Sequence, residues 1–228
     1  MAQKKITRKQ LLKEPDEFIS YSGKIIEWAT GHRNHILIII GVVVTGLIVF
    51  SAVRYFNEKT ENTAFTLLND ALANYESDLQ NQSSEIAYQK AEKNFNHIFD
   101  KYSGKSANKI ARLEFAKISL SSGKYDQAIE LYTQSIKDFK NPSAYRNFAL
   151  SGIAHAYLEK KDAPAALKYF EMVAQSGMDV LQEEALFHLG LLNRQMGNVE
   201  KSEEAFRQLL EKYPGSVYEE VSQTYLNG

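Results

Sequence analysis

The 228-residue chain contains no cysteine, only four prolines and twelve glycines. The missing cysteine excludes disulfides, thiolate nucleophiles and cysteine-based zinc sites. So few Pro and Gly do not fit a turn-rich β-protein, and the abundance of Ala, Leu, Glu, Lys and Gln after residue 60 predicts helices. There is also no charge excess of either sign, the formal net charge being −1. Residues before the long apolar run carry +3 and those after it −4, so the larger part is no nucleic-acid binder on charge grounds. Phosphate loops, G-x-S-x-G elbows, H-E-x-x-H pairs and dinucleotide glycine clusters are all missing, which excludes the common motif-bearing enzyme classes.

What is present first is a single apolar stretch, "HILIIIGVVVTGLIVFSAVRYF", residues 35–56. From Ile36 to Val53 no charge interrupts it. At about 1.5 Å per residue this run spans most of a hydrocarbon core about 30 Å thick. It exceeds the roughly 7–15 residues of a secretory signal core, and the Ser51–Ala52 neighbourhood lacks a clean A-x-A cleavage pattern. A retained single-pass transmembrane anchor is therefore expected. Seven Lys and Arg precede it (Lys4, Lys5, Arg8, Lys9, Lys13, Lys24, Arg33), against Arg54 and Lys59 in the twenty residues that follow. The distal basic cluster predicts a cytoplasmic N-terminal arm and translocation of the remainder.

In the arm, residues 1–34, "KEPDEFISYSGKIIEWATGH" reads as one helix. Pro15 suits its first position, Asp16 and Glu17 its first turn, and Gly31 its end. Phe18, Tyr21, Ile25 and Trp28 recur at helical spacing. They predict an amphipathic helix lying on the cytoplasmic leaflet or packing on a partner's cytoplasmic face. The segment ahead of it reads as disordered.

Residues 57–228 carry an internal repeat. Three stretches align, starting at Arg112, Leu150 and Leu186. Each places a small residue midway along a first helix (Ala116, Ala154, Gly190) and another twelve residues later (Ala128, Ala166, Ser202). An aromatic stands four beyond that (Tyr132, Phe170, Phe206). The copies are offset by 38 and 36 residues. Antiparallel helices that cross closely need small side chains at the crossing, and the aromatic fills the gap toward the next repeat. Gly123 and Gly197 suit the turn between helices, Pro164 the first turn of a second helix, and Pro142 and Pro214 the stop after one. A degenerate earlier copy pairs "AFTLLNDALANYESDL", with an apolar stripe of Phe65, Leu68, Leu72, Tyr75 and Leu79, with a helix holding Ala91 and Phe95. No Pro or Gly lies between Gly46 and Gly104, so the anchor helix is expected to run unbroken into this copy. "GSVYEEVSQTYLNG" reads as a capping helix.

This pattern resembles the tetratricopeptide repeat, with a spacing above the usual ~34 residues and Arg112 where a bulky residue is expected. The resemblance implies an all-α fold: one transmembrane helix, then a helical-repeat superhelix of about four repeats and a cap. It also implies a concave protein-binding face lined by first helices. By repeat register that groove comprises Leu113, Lys117, Leu120, Phe148, Ser151, His155, Leu158, Glu184, Phe187, Leu191 and Arg194. The family's carboxylate-gripping version needs Lys, Asn and Arg at inner positions that here hold Leu113/Lys117, Ser151/His155 and Phe187/Leu191, so that mode is not predicted. The groove reads as largely apolar, suited to an amphipathic helix or an extended apolar segment. His155 reads as a partly exposed or hydrogen-bonded inner-face histidine. No catalytic residue, cofactor or metal site is predicted, and the chain reads as non-enzymatic.

The order of short arm, anchor and divergent repeat array looks like the ancillary SecYEG translocon subunit family of bacterial inner membranes, carried by "VRYFNEK" and "ARLEFAKISLSSGKYDQAIELY". That resemblance implies a periplasmic domain whose partners are SecYEG, a membrane-anchored periplasmic prolyl isomerase and secreted clients. A cell-envelope scaffold for division or outer-membrane assembly machinery is the alternative, and a cytoplasmic adaptor follows if the array does not cross.

Overall fold

The computed structural model describes residues 17–139, 143–177 and 179–227. Pro15, Asp16, Pro142 and the basic segment before Pro15 lie outside the described residues, so the expectations placed on them are not addressed further. The described chain is helical throughout. Its elements are α1 (Glu17–Gly31), α2 (Arg33–Asn81), α3 (Ser84–Lys101), α4 (Ser106–Ser121), α5 (Tyr125–Asp138), α6 (Ala144–Glu159), α7 (Ala163–Ala174), α8 (Asp179–Gln195), α9 (Val199–Lys212) and α10 (Glu219–Asn227). The chain divides into two compact units between Glu58 and Lys59.

In the first unit, α1 ends at Gly31 as its sequence suggests. Tyr21, Ile25 and Trp28 are exposed, and Trp28 stacks on His32 at 5.0 Å. Helix α2 begins two residues later and holds the apolar run. Its window of mean hydropathy 3.0 has none of its residues buried, so by length and composition this helix can cross a membrane. It continues without interruption to Asn81, as the lack of Pro and Gly after Gly46 predicts.

The second unit is a stack of antiparallel helix pairs, α4/α5, α6/α7 and α8/α9, closed by α10 and preceded by α3 and the C-terminal part of α2, whose buried residues join the same core. Each helix from α3 onward packs on its successor, and α4 also touches α6, as α6 touches α8. First helices of successive pairs thus lie side by side. The small residues Ala116, Ala128, Ala154, Ala166, Gly190 and Ser202 are all buried at the crossings. At the last crossing the Ser202 hydroxyl donates to the Gly190 carbonyl at 2.8 Å, satisfying a buried polar side chain.

The aromatic positions are buried beside them, and two pack directly on glycines. Tyr132 from α5 rests on Gly152 of α6, where a Cβ would stand 2.8 Å from ring carbon Cε1 and closer to two others. Phe95 of the degenerate first pair stacks on Phe115 at 5.0 Å. Two buried clusters result, one running from Leu68 to Ile153 and one from Leu150 to Leu209, with Ile136, Tyr157 and Tyr169 packed against both. In the first pair the buried face is Ala64, Leu68 and Ala71, with Leu72 and Tyr75 half-buried, whereas Phe65 and Leu79 of the sequence stripe are exposed. The alanines belong to that face because they stand one helical turn to either side of Leu68.

Three turns share one geometry. Helix α4 ends with the Lys124 amide on the Ser119 carbonyl (2.8 Å) and the Gly123 amide on Leu120 (3.1 Å). Helix α6 repeats this with Asp162 to Tyr157 and Lys161 to Leu158, and α8 with Asn198 to Asn193 and Gly197 to Arg194. This double bond satisfies the last carbonyls but requires a left-handed residue just past the helix. Gly123 (φ 73°) and Gly197 (φ 81°) supply it freely; in the middle repeat it is Lys161, at φ 61°. Pro164 stands in the first turn of α7, beneath an Asp162 carboxylate that accepts from the Ala165 amide at 3.1 Å. Pro214 follows α9 by two residues. Arg112, the departure from the repeat pattern, lies half-buried in an ion pair with Asp138 and over the Phe99 ring, so its stem and charge are both accommodated.

Candidate protein-binding face and its histidine cluster

All eleven residues assigned to the groove lie on α4, α6 and α8. Their surroundings differ. Leu113 and Ser151 are buried and serve packing. Lys117 is exposed, and Phe148 shows 46 % of its surface. Leu120, His155, Leu158, Glu184, Phe187, Leu191 and Arg194 are half-buried. Phe187 is engaged from three sides, stacking on Tyr218 at 4.3 Å and meeting His188 and Phe206 at 5.8 and 6.2 Å. It therefore tethers the C-terminal cap to α8 and α9.

At the boundary of α6 and α8 the structure gathers three polar groups. His155 Nε2 lies 3.1 Å from Glu184 Oε1, and His188 Nε2 lies 3.9 Å from the same oxygen. The first distance is a hydrogen bond, with the imidazole donating to the carboxylate; the second is too long for one. Rings hold these groups in place. Phe170, the aromatic of the middle repeat, stacks on His188 at 4.7 Å and meets His155 edge-on at 5.3 Å, and the two histidines meet edge-on at 5.2 Å. Burial pushes His188 down to about 4, helped by the charge His155 can carry and opposed by Glu184, so its ring is neutral at pH 7. The hydrogen bond from His155 holds the Glu184 carboxyl below its ordinary value and outweighs partial burial, so Glu184 is ionised. One donor atom from each of the three residues lies within 4.8 Å of the others.

The repeat register aligns His155 with Leu191, not with His188, and a search for histidines four apart in one helix passes over a pair separated by 33 residues. The overlooked signal was Glu184-x-x-x-His188, which puts both side chains on one face of α8.

A model of the tetratricopeptide repeat-like domain matches residues 31–227. The chain belongs to that family. Tetratricopeptide repeat-like domains generally serve protein–protein interaction, and their fold is typically a non-catalytic scaffold. No curated relative matches the chain. Among solved structures it is similar to a tetratricopeptide repeat protein from Parabacteroides merdae ATCC 43184 (TM-score 0.57, 19 % identity, 71 % of this chain and 59 % of that one). It is likewise similar to the nearly identical TPR-like repeats of a putative kinesin light chain from Podosopora anserina (0.57, 18 %, 70 % and 82 %). The pilF protein of Pseudomonas aeruginosa is a third (0.50, 19 %, 71 % and 66 %). The chain spans 59 % of the Parabacteroides protein's length, and at these identities the likeness is one of fold.

Proposed function

We propose that the protein is a single-pass, membrane-tethered protein-binding module of a bacterial inner membrane. In this reading residues 35–56 anchor it, the arm stays cytoplasmic, and residues 57–228 form a periplasmic array that holds clients or co-chaperones beside the Sec translocon. The observation that carries the reading is the union, in one chain, of an unburied apolar window long enough to span a bilayer with an interaction-type repeat array. Tethering raises the effective concentration of a partner fixed in the same membrane toward the millimolar range for short linkers. A shallow face with a few exposed anchors such as Phe148 then suffices for capture. The side-by-side first helices favour an extended or helical apolar segment as ligand.

Affinity purification of the tagged full chain from crosslinked membranes tests this. Recovery of SecY, in a yield reduced by Phe148→Glu, supports the translocon reading. Recovery of division or outer-membrane assembly proteins without SecY replaces it with the envelope scaffold.

A further inference from the structure

The α6–α8 boundary holds a donor set that peptide capture alone does not explain. We propose that His155, Glu184 and His188 form a binding site for one divalent transition-metal cation of the zinc class. The donors are two imidazoles and a carboxylate with no sulfur, a set suited to zinc and its neighbours in the first transition row. In a tetrahedral site with bonds of about 2.0–2.1 Å, neighbouring donors stand about 3.3 Å apart. His155 Nε2 and Glu184 Oε1 are already 3.1 Å apart, His188 Nε2 is 3.9 Å from that oxygen, and no separation exceeds 4.8 Å. Closing the site therefore asks for a movement of up to about 1.5 Å between the two rings.

The rings are held for this. Phe170 packs on both imidazoles, and the backbone of α8 fixes Glu184 and His188 one turn apart. Their side chains keep between a fifth and a third of their surface, so a cation reaches them from solvent. Coordination through His155 Nε2 places its proton on Nδ1 and exchanges the hydrogen bond to Glu184 for two metal bonds. Three protein ligands leave a fourth position open toward the face, for water or for a donor brought by a partner. Because the ligands come from the first helices of consecutive repeats, the cation would also pin those repeats together.

The inference is independent of topology and of the translocon. It is tested on the full chain in detergent, stripped of metal with chelator and titrated with Co²⁺ followed by Zn²⁺. The expected result is saturable binding of one Co²⁺ per chain, with visible absorption of a low-coordinate cobalt site that is abolished by one equivalent of Zn²⁺. His155→Gln and His188→Gln each weaken it about tenfold or more, while the double variant His32→Gln/His35→Gln leaves it unchanged. The thermal midpoint rises with Zn²⁺ in the parent and not in the His155 and His188 variants. Helical circular dichroism verifies that each variant is folded, and Glu184→Gln decides if either histidine variant is not. No saturable binding, or binding equal in the parent and in folded His155, His188 or Glu184 variants, overturns the proposal.

Discussion

Gly190 of α8 and Phe206 of α9 touch so closely that a Cβ on Gly190 would stand 2.7 Å from the ring's Cδ1 and nearer still to Cε1 and Cζ. The ring cannot yield easily, because Phe206 is buried and also stacks on Tyr225 at 5.2 Å. Gly190→Ala sets two effects against each other. Helix propensity favours Ala by about 1 kcal/mol, and overpacking a tight core costs about 1–3 kcal/mol. With the ring trapped, overpacking wins, and a net loss of about 1 kcal/mol is expected in urea unfolding at constant m-value. Combining it with Phe206→Leu should cost less than the sum of the single changes, the sign of a shared contact.

Lys161 holds a left-handed backbone where the equivalent turns use Gly123 and Gly197. A side chain in that conformation costs about 1–2 kcal/mol, partly offset by the extra freedom glycine has when unfolded. Lys161→Gly should therefore stabilise the array by up to about 1 kcal/mol, and Gly197→Ala should destabilise it by a similar amount. Chemical denaturation of both variants checks the pair, and opposite signs are the expected outcome.

These relationships also mark how far the sequence could be read. The small, small, aromatic order at offsets of twelve and four residues marked buried positions in three helix pairs, because close packing leaves few residue choices, but it did not mark Gly152, on which Tyr132 rests. Continuity of α2 followed from the missing Pro and Gly. Other features depend on neighbours that periodicity does not supply. The burial of Ala64 and Ala71 in place of Phe65 and Leu79 follows from which side of α2 meets the core, which a stripe of large side chains conceals. Lys161 reads as an ordinary loop lysine until aligned with two glycines. His155, Glu184 and His188 meet only because α6 and α8 are adjacent, a contact between repeats and not within one.

Two aromatics of the candidate face should separate under mutation. Phe148 is exposed, so Phe148→Glu is expected to change stability by no more than about 0.5 kcal/mol while reducing partner capture. Phe187 stacks on Tyr218 and adjoins Phe206, so Phe187→Ala is expected to lower stability by about 2 kcal/mol or more and loosen α10. Thermal melts alongside quantitative pull-down distinguish the two; a pull-down unaffected by Phe148→Glu removes that residue from the binding face.

The central claim is that the array stands in the periplasm behind an anchor that is not removed. Protease added to spheroplasts carrying a C-terminal epitope tag tests it most directly. The account predicts that the tag is lost while the membrane is intact and the arm is shielded, from a protein that runs at full length before digestion. A tag that survives until the membrane is lysed would contradict it and place the repeats in the cytoplasm.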